Sequence, residues 1–376
     1  MQTGTDDRRQ EVEAKIARVV ELTQKAGVRG ILVGLQPTFA WLTAGASNRI
    51  DGSREQGAGA LLITAGGRRL VVANNIESPR LMQEAVAGLG FEAADFPWTG
   101  ERADPALPFR IAREAAGGPI GSDLAAADVM FLEPPLARLR APLLPPEIDR
   151  YRCLGADAGR IAGEVMRRAS PGKSEREIAG ELAGSLMAVD IRPIVLLAAA
   201  DDRIARYRHP VAGDRRWQDR LLLATCAERG GLVVALTRIV CRRMDDDLVR
   251  RTGAAAAAFS AMLSAAAASS TGAEMFAAAS AAYADAEFPG EERHHHQGGA
   301  IGYRAREWVA HPRSQDVAVL PQAFAWNPTV AGTKLEETCL VHADGRVEVL
   351  TETPNWPALE IHVRGQVVRI SDVGFK

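Results

Sequence analysis

Cysteine is scarce and scattered: four residues in 376, none before Cys153 and none in a C-x-x-C pair. That spacing gives no disulfide framework and no paired-thiol motif, and a reducing cytoplasm is the expected location. An excess of either charge is also missing, with 45 Lys and Arg against 47 Asp and Glu and a net charge of −2. Without a basic stripe to neutralise phosphates, nucleic acid and an anionic membrane surface are not expected as partners. Long apolar runs are absent too. The most apolar helical stretch, 254–268, is short, mostly alanine, and interrupted by Ser260 and Ser264, which is too little to span a bilayer. The polar residues 1–10 carry none of the apolar stretch that a secretory signal requires, so a soluble protein is expected.

What is present is a composition that folds. Apolar residues make up 47% and charged residues 24%, the balance of a globular protein, and the length suits two domains. Over 9–26 the apolar positions Val12, Ile16, Val19, Val20 and Leu22 recur at helical spacing until Gly27. Buried strands are expected over 30–34, 59–64 and 70–73, a helix over 78–89, and strands over 91–96 and 119–122, which together make a small α/β domain. Three prolines in 139–148 interrupt the chain, and the boundary is placed near Ala141. A long helix then covers 146–169. Ser174 follows as an N-cap, with Glu177 completing a capping box for a second helix to about Met187. Strands are expected over 193–197, 221–224 and 231–240, the last two as a hairpin. Alanine-rich helices occupy 253–287, with Asp245, Asp246 and Asp247 in a solvated loop before them, and short strands run from Ala300 to the end.

Several segments recur in an informative order: Pro171-Gly172 with Glu175, Tyr207-Arg208-His209, the hairpin to Thr237-Arg238, and His296-Gln297-Gly298-Gly299-Ala300-Ile301-Gly302-Tyr303. After these come Arg306-Glu307, Asn327-Pro328 and Leu335-Glu336-Glu337-Thr338. In this order the chain resembles the creatinase/aminopeptidase P family, peptidase family M24, over nearly its whole length. The resemblance implies an α+β protein in which a creatinase-like N-terminal α/β domain, 1–141, precedes a pita-bread catalytic domain, 142–376, and it implies a homodimer.

Metal-dependent members of that family hold two divalent ions with two Asp, one His and two Glu. Here the first Asp falls on Ala224 and the second on Ala235, and a methyl group cannot ligate. One Glu becomes Asn327 and the other stays as Glu336. The metal His falls on Gly299, three residues past His296. The resemblance therefore implies a domain that works without metal or other cofactor.

His209 stands where creatinase, a metal-free relative, has its acid/base histidine; by itself it reads as a surface loop residue. Of His294, His295 and His296, one or two at most should face a cleft, since successive side chains of a strand point to opposite sides. The expected catalytic set is His209, Glu336 and His296, and the expected substrate-binding set is His295, Tyr303, Glu307, Asn327, Glu337 and Arg49. Glu336 and Glu337 are assigned to fix the charge on the substrate, against the plainer reading of a salt bridge to Lys334. Arg49 or Arg54 would read a substrate carboxylate, and Thr237-Arg238 is architectural. Three readings follow: a metal-independent hydrolase of a C–N bond in a small polar molecule, a binding protein that has lost catalysis, and a peptidase with a different ligand set.

Overall fold

The computed structural model describes residues 5–376 and divides the chain into two compact units, Met1–Glu147 and Ile148–Lys376. Ala141 lies just before that division, between the helices Glu133–Arg140 and Pro145–Arg168.

The first unit is built on a six-stranded sheet in the spatial order Glu92–Phe96, Arg69–Asn74, Gln56–Thr64, Gly30–Leu35, Ile120–Ser122, Met130–Phe131. Its centre is antiparallel and both flanks are parallel. Gly30–Leu35 is buried along its whole length, which is why it reads as a continuous apolar run and not an alternation. The opening helix, Thr5–Ala26, carries Lys15 fully buried. Its ammonium meets Glu11 at 2.6 Å, Glu147 at 2.8 Å and the Trp41 carbonyl at 2.8 Å. The sequence did not reveal the helices Gln36–Leu42, Leu107–Ala116 and Glu133–Arg140. Each has proline in its first turn, where the missing N–H costs no hydrogen bond. The helix expected over 78–89 is cut short, as Ser78–Arg80 passes into a single π turn, Leu81–Ala85.

In the second unit the long helix Pro145–Arg168 and the capping box of Ser174 and Glu177 form as expected. Glycine on one face of that long helix admits another backbone. A Cβ on Gly155 would lie 2.2 Å from the Leu350 carbonyl oxygen and one on Gly159 2.4 Å from that of Glu352, so the backbone near 350–352 lies directly on the helix. Strands Arg220–Arg229 and Leu232–Cys241 form the expected hairpin through Gly230 and Gly231, both at positive φ. They sit in a sheet ordered Gly374–Phe375, Leu232–Cys241, Arg220–Arg229, Arg192–Ala200. A second four-stranded sheet runs Gly298–Ile301, Gln322–Trp326, Glu337–Val341, Val347–Val349.

The alanine-rich helices are Asp246–Ala265 and Gly272–Asp285. Their alanines let them pack closely over the second sheet, with Ala255, Ala258, Phe259 and Ala279 in one buried cluster with Phe324 and Trp326. The acidic run before them is not a free loop. Asp245 caps the first helix by accepting from the Leu248 N–H at 2.7 Å, and Asp246 and Asp247 lie in its first turn. Among the described residues no helix is long and apolar enough to cross a membrane.

Candidate functional site

The hairpin supplies one wall. Ala224 lies opposite Thr237 and Cys226 opposite Ala235, so these four side chains share one face of the two strands. Glu336 is tied to that face twice. Its carbonyl accepts from the Thr237 N–H at 3.1 Å, and its carboxylate accepts from the Thr237 hydroxyl at 2.7 Å. The adjoining strand is locked in register by Thr338, whose hydroxyl accepts from Ala235 N–H at 2.8 Å and donates to Ala235 O at 3.0 Å. Ala224 and Ala235, where the resemblance expects the two metal-binding aspartates, therefore stand on the face to which Glu336 is tied and carry only methyl groups there.

Two cations occupy that glutamate. Lys334 Nζ lies 2.9 Å from one carboxylate oxygen and Arg306 Nη2 3.1 Å from the other, with Lys334 6% and Glu336 5% exposed. Burial alone pushes the Glu336 carboxyl up, but Lys334 and Arg306 outweigh it and hold the group at about 2. Gly299 completes the test of the old centre: a Cβ there would fall 2.1 Å from the Trp308 carbonyl oxygen, so no side chain fits where the metal histidine would stand. Methyl groups at two ligand positions, backbone contact at a third and an ion-paired glutamate at a fourth do not fit a pair of divalent ions.

The histidines gather beside this centre. Arg208 pairs with Glu291 at 2.7 Å, which fastens the 207–210 loop to the turn preceding the histidine run. His209 Nε2 then lies 2.9 Å from His295 Nε2, and the ring centroids of His295 and His296 are 4.5 Å apart. His294 stays exposed. Two adjacent histidines reach the cluster because residues 294–297 form no strand, so the alternation expected from the sequence does not apply. Gln297, fully buried, fixes the segment: its amide donates to His295 O at 2.6 Å, and its side-chain oxygen accepts from the Tyr283 hydroxyl at 2.9 Å. Neither Gln297 nor Tyr283 was singled out from the sequence; a buried glutamine beside a histidine run was the signal available.

Burial first and the Lys334 charge second depress His295 to about 2, and burial followed by Arg306 depresses His296 to about 4. His209 is lowered from the usual histidine value, by partial burial first and then by Lys334. All three are neutral imidazoles at pH 7. Cys226, beside Arg306, is pushed up to about 11 by burial and remains a thiol.

The remaining expected residues divide. Asn327 is 2% exposed and its Oδ1 is buried with no hydrogen-bond partner, an acceptor open to a ligand. Tyr303 and Glu307 close a turn, with the Tyr303 N–H donating to Glu307 Oε1 at 3.0 Å. Glu337 is held within the chain. It is 2% exposed, pairs with Arg238 at 3.1 Å, and accepts from the Ser371 N–H at 3.1 Å. Arg238 in turn donates to Thr353 at 2.8 Å, the architectural role expected of it. Glu336 and Glu337 are thus both paired with cations of the chain, the plainer of the two readings the sequence offered. Arg49 and Arg54 belong to the first unit, where Asn48 anchors their loop by donating to the Gly34 and Gly59 carbonyls. Arg49 is half-buried and Arg54 is exposed, with Asp51 at 3.4 Å.

No protein-family model and no curated protein matches the sequence. Solved structures match the fold over most of its length. Dipeptidase PepE from Mycobacterium ulcerans aligns at TM-score 0.75 and 20% identity, covering 92% of this chain and 97% of that one. The prolidase from Pyrococcus horikoshii OT3 aligns at 0.74 and 18%, covering 90% and 98%. The N-terminal domain of FACT complex subunit SPT16 from Cicer arietinum (chickpea) aligns at 0.66 and 12%, covering 92% and 96%. The chain therefore has the α+β pita-bread fold of these Xaa-Pro dipeptidase and prolidase structures.

Proposed function

We propose that this chain is a hydrolase that cleaves a C–N bond in a small polar substrate without a two-metal centre, with His209 moving the proton. The observation that carries the proposal is the His209–His295 contact of 2.9 Å beside a glutamate already neutralised by two cations. His295 Nδ1 is buried with no partner. The Nε2–Nε2 contact takes one donor and one acceptor; in the active tautomer His209 donates from Nε2 to His295 Nε2, and the proton of His295 stands on its unpaired Nδ1. His209 Nδ1 then carries a free lone pair, which can take a proton from a reacting group and return it.

The charge of the site selects the substrate. Lys334 and Arg306 against Glu336 leave one positive charge among neutral histidines, and Arg306 Nε is buried without a partner. An anionic group on the substrate, a carboxylate above all, is favoured over the cation expected from the sequence. Asn327 Oδ1 accepts from a substrate N–H.

A metal ion would lower the pKa of water from about 15.7 to about 7, whereas one positioned histidine supplies about 10² to 10⁴ in rate. An unactivated peptide bond is a poor target for that, and an activated carbon, such as that of a guanidino or ureido group or a strained ring amide, is a suitable one. In the reaction, water adds to this carbon and the C–N bond breaks. His209 takes a proton from the water and returns one to the departing nitrogen, so it is unchanged at the end. Homodimeric assembly belongs to the same proposal.

The test offers chelator-treated protein guanidino acids, N-carbamoyl amino acids, cyclic ureides and Xaa-Pro dipeptides, and measures released ammonia or amine. Turnover on an activated class, lost in His209→Ala, supports the proposal. Turnover confined to Xaa-Pro dipeptides and dependent on added manganese overturns it, as does turnover that survives His209→Ala. Recognition without turnover is the second reading, favoured by the ion pairing that already satisfies Glu336; binding with no release of product from any class would establish it.

A further inference from the structure

The three histidines do more than position a proton. We infer that His209, His295 and His296 form a mononuclear site for a borderline divalent transition ion, zinc first, separate from the two-metal centre whose ligand positions have been lost. One ring nitrogen from each of the three lies within 4.8 Å of the others. Zinc binds imidazole nitrogen at about 2.0–2.1 Å in a tetrahedral arrangement, which sets neighbouring ligand nitrogens roughly 3.3 Å apart. The His209–His295 pair, at 2.9 Å, needs to open by a few tenths of an ångström, and His296 needs to close by a small rotation.

The surroundings suit this reading. The Nδ1 atoms of His295 and His296 are buried with no hydrogen-bond partner, so neither ring gives up a competing bond at that atom in turning toward an ion. His209 is exposed while His295 is buried and His296 half-buried, which leaves an entry path and an open fourth position on the solvent side. Three neutral imidazoles with no carboxylate select zinc, copper, nickel or cobalt over magnesium, calcium or manganese. Lys334 and Arg306 oppose a cation electrostatically, so the site is weaker than the same three ligands would make elsewhere.

Binding is measured without substrate, so its failure and the failure of the proposed hydrolysis are distinguishable. Where both hold, the ion competes with the proton for His209 and suppresses turnover. The experiment is equilibrium dialysis of the full chain, stripped by chelator, against zinc, with cobalt as a spectroscopic probe of tetrahedral geometry. The wild type should take up one equivalent and show the visible bands of tetrahedral cobalt. His209→Gln, at an exposed position where the fold tolerates the change, should weaken binding by at least about tenfold, and His294→Gln should leave it unchanged. No stoichiometric zinc in the wild type overturns the inference. So does binding that survives His209→Gln, or binding lost equally in His294→Gln, which would mark a non-specific histidine run.

Discussion

Replacing Glu336 by glutamine separates a matched ion cluster from a metal site more sharply than any other single change. The substitution keeps the volume and the hydrogen bond from Thr237 but leaves Lys334 and Arg306 buried without their counter-charge. The carboxyl lies at about 2 against the usual 4.5, a stabilisation of the charged form by about 3 kcal/mol at about 1.4 kcal/mol per tenfold. Removing one partner of a buried ion pair costs about 3–5 kcal/mol, which agrees. At about 3 kcal/mol, in a unit of this size, the melting temperature falls by roughly 6–12 °C. The sign with pH follows from the depressed value: the contribution is present above 4.5 and is lost as pH falls towards 2, so the variant should also lose that part of the acid dependence. Differential scanning calorimetry in chelator measures both. Adding Lys334→Met to the variant should recover part of the loss, with a coupling of about 1–3 kcal/mol. The reasoning is refuted if Glu336→Gln is neutral in chelator while the wild type loses stability on chelation and regains it with manganese.

His209→Ala should lower turnover by about 10² to 10⁴, and the acid limb of the wild-type kcat/KM profile should lie below pH 6.5, because the ring is held neutral to lower pH than a free histidine; an acid limb above 6.5 would contradict this. Glu337→Gln should cost stability through the stranded Arg238 and leave KM unchanged, which thermal melts and initial rates on the same preparation would check. Gly299→Ala should destabilise by about 1–3 kcal/mol, because its Cβ meets the Trp308 carbonyl oxygen, and a variant that melts with the wild type would show that this backbone contact is absent.

Much of the fold was legible because it rests on local signals. The capping box of Ser174 and Glu177 forms as written, and so do the hairpin through Gly230-Gly231 and the buried strand Gly30–Leu35. What escaped was structure decided by tertiary packing. The glycines of the long helix are spaced for a backbone that arrives from about 200 residues further along the chain, near 350–352, and proline in the first turn hid three helices. The site divides in the same way. That Ala224, Ala235 and Asn327 carry no charged donor where the resemblance expects metal ligands is visible from residue types alone. That Lys334 and Arg306 claim Glu336, and that adjacent His295 and His296 both meet His209, depends on distances between segments remote in sequence.

The proposed metal-free chemistry rests on Lys334 and Arg306 taking up both carboxylate oxygens of Glu336. The most direct measurement is anomalous diffraction from crystals of the full chain soaked in manganese. The account predicts Lys334 and Arg306 on the two carboxylate oxygens of Glu336 and no manganese peak within coordination distance of either. Two peaks bridged by Glu336, with the lysine withdrawn, would contradict it.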